Sequence, residues 1–322
     1  MLPQMNDNFR AFVAPAAARR GAVRLTVGIV VMVLIYGFLT FALMGVFAVL
    51  FVPDFTANPT GALARVQLDV IRFDTARGVL LILVTFTAML AGVWIAILMA
   101  HGRDLPTLLG PGPHGRAVRL TLIVAAPLMA VAILSGFLSY DPVPNVPFTQ
   151  WLPLMALALP LLLLQVSAEE LVFRGYLMQE FAARSSRRAV YLVLPAILFG
   201  ALHYDPATLG QTNALLVVLA TGLFGLVAGD VTMRTGTLWP AIILHFANNA
   251  VAMMTIALDG TITGLALYVT AVDVTDEATV RDFLLRDILS FGALYLVWCA
   301  MATRLQIGAP LPMSATSTGA QP

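Results

Sequence analysis

The sequence has little charge, no lysine and a single cysteine. Only 11% of its 322 residues are charged, all 18 basic residues are arginine, and Cys299 is the one cysteine. A lone cysteine excludes an intrachain disulfide and a thiolate metal cluster. The formal net charge of +1 gives no reason to expect a nucleic-acid partner. The scarcity of charge also argues against an ordinary soluble domain.

The chain is rich in apolar residues. They make up 60% of the chain, and the mean hydropathy is +0.90. This composition predicts an all-α fold, a polytopic transmembrane bundle of about eight helices. A span needs about 20 apolar residues. The predicted spans are at about 25–52, 79–100, 120–139, 151–182, 189–208, 212–230, 237–257 and 288–303.

The N-terminal span is expected to be retained in the protein. Four arginines precede the uncharged run 25–52, which is much longer than the roughly 7–15-residue apolar core of a secretory signal. We therefore expect a first transmembrane helix. The membrane bilayer is thus the first predicted partner of this chain.

Arginine placement predicts the orientation. Twelve arginines fall on one side of the predicted spans and five on the other, with Arg174 set aside as intramembrane. The positive-inside rule then puts both termini in the cytoplasm. The acidic loop 258–287 fits the outer face. We expect an integral protein of the plasma membrane, the inner membrane of a bacterium.

The same reading divides the chain into segments. His101, in a Gly/Pro-rich cytoplasmic loop, is expected to be solvated. The segments are a cytoplasmic N-terminal tail (1–24), the first three transmembrane helices (25–145), a catalytic core (150–257), an outer loop with the last helix (258–303) and a disordered cytoplasmic tail (304–322).

Two of the four glutamates stand side by side in the apolar fourth span. Glu170 and Arg174 are four residues apart, so on a helix they share a face and can form an ion pair. Glu169 is rotated by about 100° and has no local partner, so it is suited to taking a proton from water. The alternative is that both glutamates lie in a loop beyond a shorter helix. An intramembrane carboxylate indicates function by default.

Two histidines lie in later apolar spans. His203 follows Phe199 by four residues, and Asn249 follows His245 by four. A lone histidine on an apolar helix is more often a core residue than a catalyst, but sites in successive spans favour chemistry. Glu169 and His203 are each 17 residues from Ser186, which predicts equal depth in a hairpin, about 25 Å from its turn. His245 matches that depth only if the hairpin projects beyond the neighbouring helices or the helices tilt.

These motifs resemble those of the CAAX-protease and bacteriocin-processing family (CPBP, or Abi) of intramembrane endopeptidases, which includes type II CAAX prenyl endopeptidases. The resemblance covers about residues 150–255. It implies that Glu169 and His203 activate a water, that His245 and Asn249 stabilise an oxyanion, and that Glu170, Arg174 and Phe199 support the site. A catalytic cavity is then expected between the fourth, fifth and seventh helices.

The resemblance implies two possible mechanisms. One is a metal-free glutamate–histidine mechanism; the other uses zinc, with Glu169, His203 and His245 as ligands. The substrate is expected to be a peptide or a membrane protein. Two other functions stay open: a non-catalytic immunity or scaffold protein on the same fold, and a proton-coupled transporter, which would predict repeats and broken helices that the sequence does not clearly show.

Overall fold

The computed structural model describes residues 6–111, 115–272, 274, 276–305 and 307. Most of this part is helical, so the predicted all-α class is confirmed. The helices are, in chain order, α1 (Asp7–Ala17), α2 (Ala22–Phe51), α3 (Pro59–Val70), α4 (Ala76–His101), α5 (Pro106–Leu109), α6 (Gly115–Tyr140), α7 (Phe148–Ala182), α8 (Ala189–Ala201), α9 (Pro206–Thr235), α10 (Trp239–Ala250) and α11 (Glu277–Arg304).

Six helices are long and apolar enough to cross a membrane: α2, α4, α6, α7, α9 and α11. The two others that coincide with predicted spans, α8 and α10, are shorter. A π-helical segment, Val251–Thr255, extends α10 by a further turn. The chain is thus an integral membrane protein built as a helix bundle. Each of the eight predicted spans corresponds to one of its helices.

The second half of α7, from Gln165 to Ala182, lies in the interior of the bundle, whereas α2 lies at its edge. Only 6% of the apolar window of α2 is buried against protein, so its surface suits lipid contact. Helix α7 packs against α4 and α10, and the main buried apolar cluster includes its residues from Met155 to Ala182. The adjacent glutamates Glu169 and Glu170 therefore lie on the half of α7 that is surrounded by protein.

One end of the bundle collects the N-terminal segment and the cluster at 184–188. Asn8 of α1 donates its side-chain amide to the carbonyl of Arg234 at the end of α9, 3.2 Å away. Arg184 donates to the carbonyl of Gly21 at 2.7 Å. The segment predicted as an N-terminal tail thus contains a packed helix. Its four apolar buried residues explain why it folds onto the bundle.

The opposite end carries a small three-stranded sheet of two-residue strands. Its order is β1 (Val143–Pro144), β3 (Tyr268–Val269), β2 (Ile256–Ala257). The backbone amide of Gly264 donates to the carbonyl of Phe73 at 2.8 Å, which ties this layer to the turn before α4. The loops at each end of the bundle are those that arginine placement assigns to the same side of the membrane.

The last helix begins at Glu277 and not near residue 288, so the predicted loop 258–287 is too long. Asp276 caps α11 by accepting a hydrogen bond from the backbone amide of Thr279 at 3.2 Å. A hydropathy window misses this polar first half of the helix. Asp287 consequently lies on a membrane-spanning helix. Most of the predicted tail 304–322 falls outside the described residues.

The expectation that His101 is solvated is wrong. His101 is fully buried at the end of α4, and its Nε2 lies 3.1 Å from the hydroxyl of Tyr176 on α7. Beside them, the buried carboxylate of Glu180 accepts hydrogen bonds from Arg103 at 2.7 Å and from Arg184 at 2.6 Å. We call these five residues the end cluster. It fastens the last turns of α7 to α4, and the buried charges are compensated.

The orientation of the bundle can be tested with single cysteines. In a Cys299→Ala background, we expect a cysteine at exposed Ser186 to react with a membrane-impermeant maleimide only from the cytoplasmic side, because arginine is concentrated at that end. A cysteine at Thr56, at the opposite end, should react only from outside. Labelling of intact cells against inverted vesicles measures both. The reverse pattern would invert the topology.

Candidate active site

The two glutamates lie on α7 where regular α-helix gives way to a π-helical segment, Leu171–Leu177. Both are buried within helix, which rules out the alternative that they occupy a loop. π-Helical turns recur at functional sites, where they re-aim side chains. Here the segment begins directly after Glu170 and contains Arg174.

Glu170 is the centre of a buried three-residue network. Its Oε1 accepts a hydrogen bond from Arg174 Nη1 at 2.8 Å, as the sequence predicts. The same oxygen lies 2.8 Å from Nδ1 of His245 on α10. An ionised carboxylate only accepts hydrogen bonds, so Nδ1 of His245 donates its proton to it. Glu170 therefore joins two helices and sets the orientation of the imidazole ring.

Aromatic rings surround the guanidinium of Arg174. Its carbon lies 4.5 Å from the ring centre of Phe199, 5.6 Å from that of Phe224 and 5.9 Å from that of Phe173. Cation–π attraction is strongest where water is excluded, and Arg174 is 2% exposed. The rings and the single carboxylate of Glu170 together compensate for the burial of this charge.

Gly225 makes room for this arrangement. A Cβ at this position of α9 would lie 3.0 Å from Cα of Ala196 and 3.2 Å from Nη2 of Arg174. The close approach of α9 to α8 depends on this small residue. It brings Phe224 and Phe199 to the same side of Arg174.

Glu169 points to the other nitrogen of the same imidazole ring. Its Oε2 lies 3.5 Å from Nε2 of His245, although that oxygen accepts no hydrogen bond. The prediction that Glu169 has no local partner holds along its own helix, while His245 approaches from α10. Since Nδ1 of His245 is engaged by Glu170, Nε2 is the nitrogen available for chemistry.

The depth of His245 is explained by the length of α7. Leu238, before α10, packs against Gly175, where an added Cβ would lie 3.3 Å from Leu238 Cδ1. The α9–α10 turn therefore meets α7 well before the 184–188 turn is reached. The hairpin of α7 and α8 extends past the α9–α10 turn. This is one of the two conditions under which His245 is expected to reach the depth of Glu169 and His203.

Asn249 lies one turn after His245 and faces the same region. Its side-chain nitrogen donates to Oε1 of Gln165 at 3.2 Å. Gln165 is buried on α7, four residues before Glu169, so it occupies the same helix face. Sequence reasoning missed Gln165, although a glutamine one turn before an intramembrane carboxylate is a usable signal.

His203 lies in the turn directly after α8. Its Nδ1 is 2.9 Å from the carbonyl of Phe199, so Nδ1 donates and leaves Nε2 free to accept. The His203 ring packs 4.8 Å from that of Phe199, and the His245 ring packs 5.8 Å from it. Phe199 thus stands between the two histidines. In the described part of the chain no direct hydrogen bond joins His203 to Glu169.

A cavity of about 940 Å³ brings the predicted residues together. Helices α7, α8, α9, α10 and α11 contribute to its wall. Glu169, His203, His245 and Asn249 all line it, together with Gln165. The structure therefore places the four predicted catalytic side chains on one cavity. Their chemical roles stay predictions.

The residues do not form a ready metal site. Within the described ranges, no group of three or more His, Cys, Asp and Glu side chains is arranged to hold a metal ion. Glu169, His203 and His245, the set that the resemblance names for zinc, do not form such a group among the described residues.

The chain resembles known proteins over this same region. Residues 150–251 match the family model described as Type II CAAX prenyl endopeptidase Rce1-like. "Uncharacterized protein YyaK" of Bacillus subtilis (strain 168) is 28% identical over 186 residues, which cover 56% of this chain and 62% of that protein. No solved structure gives a significant match.

The family match confirms the resemblance that the motifs predict. Every predicted site residue lies within residues 150–251. The description of that family names an endopeptidase.

Substitution of Glu170 tests the network. In Glu170→Gln we expect the protein to lose about 3–5 kcal/mol of stability, because Arg174 stays buried without a counter-charge. Thermal unfolding in detergent micelles, followed by circular dichroism, measures the loss. The double variant Glu170→Gln/Arg174→Met should recover part of it. An unchanged melting temperature in the single variant would show that the pair is not structural.

Proposed function

We propose that this chain, whose residues 150–251 match the type II CAAX prenyl endopeptidase Rce1-like family, is an intramembrane endopeptidase that activates water with Glu169 and His203. The observation that supports this most is the shared cavity, with Glu169, His203, His245 and Asn249 on its wall. Substrate is a peptide or a membrane protein that reaches this cavity from the bilayer. The termini are proposed to be cytoplasmic, in the plasma membrane.

The first step is the activation of water. A water in the cavity donates one proton to the free carboxylate oxygen of Glu169, and its oxygen adds to the carbonyl carbon of the scissile peptide bond. His203 Nε2, which is left as an acceptor by the bond from Nδ1 to Phe199, orients the same water. Glu169 suits this role because, among the described residues, it forms no ion pair with an arginine.

The second requirement is stabilisation of the oxyanion. Addition of water gives a tetrahedral intermediate with a negatively charged oxygen, and fixed hydrogen-bond donors stabilise it. The side-chain nitrogen of Asn249 is a donor with one hydrogen left over from its bond to Gln165. His245 is the second donor when Nε2 carries a proton, which the bond from Nδ1 to Glu170 favours.

The last step completes the proton balance. As the carbon–nitrogen bond breaks, the proton taken up by Glu169 passes to the leaving amine, which restores the carboxylate. The products are a carboxylic acid and an amine. Glu170 and Arg174 take no part in these transfers, because each is held by the other.

Glu169→Gln separates catalysis from folding. We expect it to abolish peptide cleavage, since the amide cannot take a proton from water, and to unfold at nearly the wild-type temperature, since its shape is preserved. Cleavage of a fluorogenic membrane peptide by purified protein, with a melting curve beside it, measures both. Full cleavage by Glu169→Gln would contradict the assignment. Absence of cleavage by wild type across many peptides would favour a scaffold function.

Chelation tests the choice between the two mechanisms. Because the donors are not arranged for a metal, we expect cleavage to survive prolonged dialysis against EDTA and then 1,10-phenanthroline. Turnover before and after dialysis, with elemental analysis of the protein, measures this. Loss of turnover that added zinc restores would instead assign a metal role to Glu169, His203 and His245.

A further inference from the structure

A second unneutralised carboxylate lines the same cavity as Glu169. Asp287 lies on α11, on the wall of the 940 Å³ cavity, and sequence reasoning placed it in a loop. Among the described residues it forms no hydrogen bond or ion pair, and its side chain is exposed to open space. An ionisable residue in a membrane-spanning helix costs stability, and its presence there therefore indicates a function.

The neighbouring arginine, Arg286, does not form an ion pair with Asp287. Arg286 binds Asp282 through Nε at 2.8 Å, and its Nη1 lies 3.3 Å from the hydroxyl of Ser139. Adjacent residues on a helix point about 100° apart, so the two side chains diverge. The other aspartate on the cavity wall, Asp230, is occupied by Arg234 and the hydroxyl of Tyr295, each at 2.5 Å.

Asp287 lies where two cavities meet. The second cavity is mainly apolar and is formed by α6, α10 and α11, with Leu128, Met129 and Leu244 among its lining residues. Asp287, Phe291 and Asn248 line both cavities. A peptide held at Glu169 and extending toward the second cavity would therefore pass the carboxylate of Asp287.

We propose that Asp287 is a specificity-determining residue that binds a positively charged side chain of the substrate, close to the bond that is cut. This rests on the proposed peptidase function. The cavity wall offers such a cation a free carboxylate, and a charge-assisted hydrogen bond is roughly twice as strong as a neutral one. An apolar peptide with an arginine or lysine near the cleavage position is the substrate class that this wall fits.

The test compares peptides that differ only in charge. Short Leu/Ala peptides carry one arginine at successive positions, and their partners carry citrulline, the uncharged isostere. Binding is measured by fluorescence anisotropy to the full-length Glu169→Gln variant in detergent micelles, so that Asp287 is the only free carboxylate on the cavity wall. We expect arginine peptides to bind about tenfold tighter or more at one position.

Matched variants decide the outcome. The preference should vanish in Glu169→Gln/Asp287→Asn and persist in Glu169→Gln/Asp287→Glu, which keeps the charge. Equal binding of the two peptides, a preference that survives Asp287→Asn, or no binding of either peptide would overturn the proposal.

A turnover measurement separates the proposed role of Asp287 from the proposed peptidase function. In wild type, the ratio of kcat/KM for the arginine peptide to that for the citrulline peptide should exceed one, and should fall about tenfold or more in Asp287→Asn. If wild type cuts neither peptide, the peptidase function fails, while the binding experiment still decides whether Asp287 selects a cation. A ratio that is unchanged in Asp287→Asn counts against the inference alone.

Discussion

The site depends on one buried carboxylate oxygen, Oε1 of Glu170, which accepts from Arg174 and from His245 at the same distance. Through Arg174 it reaches the aromatic rings of α8 and α9, and through His245 it reaches α10. A carboxylate that is removed from water is stable only when such donors surround it. Four of the five helices around the cavity, α7, α8, α9 and α10, are therefore joined by an interaction that takes no part in the proposed chemistry.

The unequal roles of two adjacent glutamates follow from helix geometry. A rotation of about 100° between neighbours turns Glu170 into the core, toward Arg174, and Glu169 toward the cavity. Glu170 then holds one nitrogen of His245 while Glu169 faces the other. One imidazole thereby links the structural carboxylate to the one that is free to react, so a change at either residue would be felt by the other through His245.

Sequence reasoning works here where the relation is local. The Glu170–Arg174 pair follows from a spacing of four, and the shared cavity of Glu169 and His203 from equal distances to one turn. It fails where the relation depends on how far one helix projects past another. The contact between Glu170 and His245 needs α7 to continue beyond the α9–α10 turn, and the burial of His101 needs the same extension. Neither length can be read from hydropathy, because the end cluster is polar.

The interior carboxylates fall into two groups, those that form an ion pair with an arginine and those that do not. Glu170, Glu180 and Asp230 are each bound by arginine, so their charge is satisfied within the fold. In the part of the chain that the structure describes, neither Glu169 nor Asp287 forms an ion pair with an arginine, and both face the same cavity. An uncompensated carboxylate in a membrane-spanning helix costs stability, so its presence indicates a function. In the proposed mechanism Glu169 receives a proton from water, and in the proposed specificity Asp287 binds a positively charged side chain of the substrate.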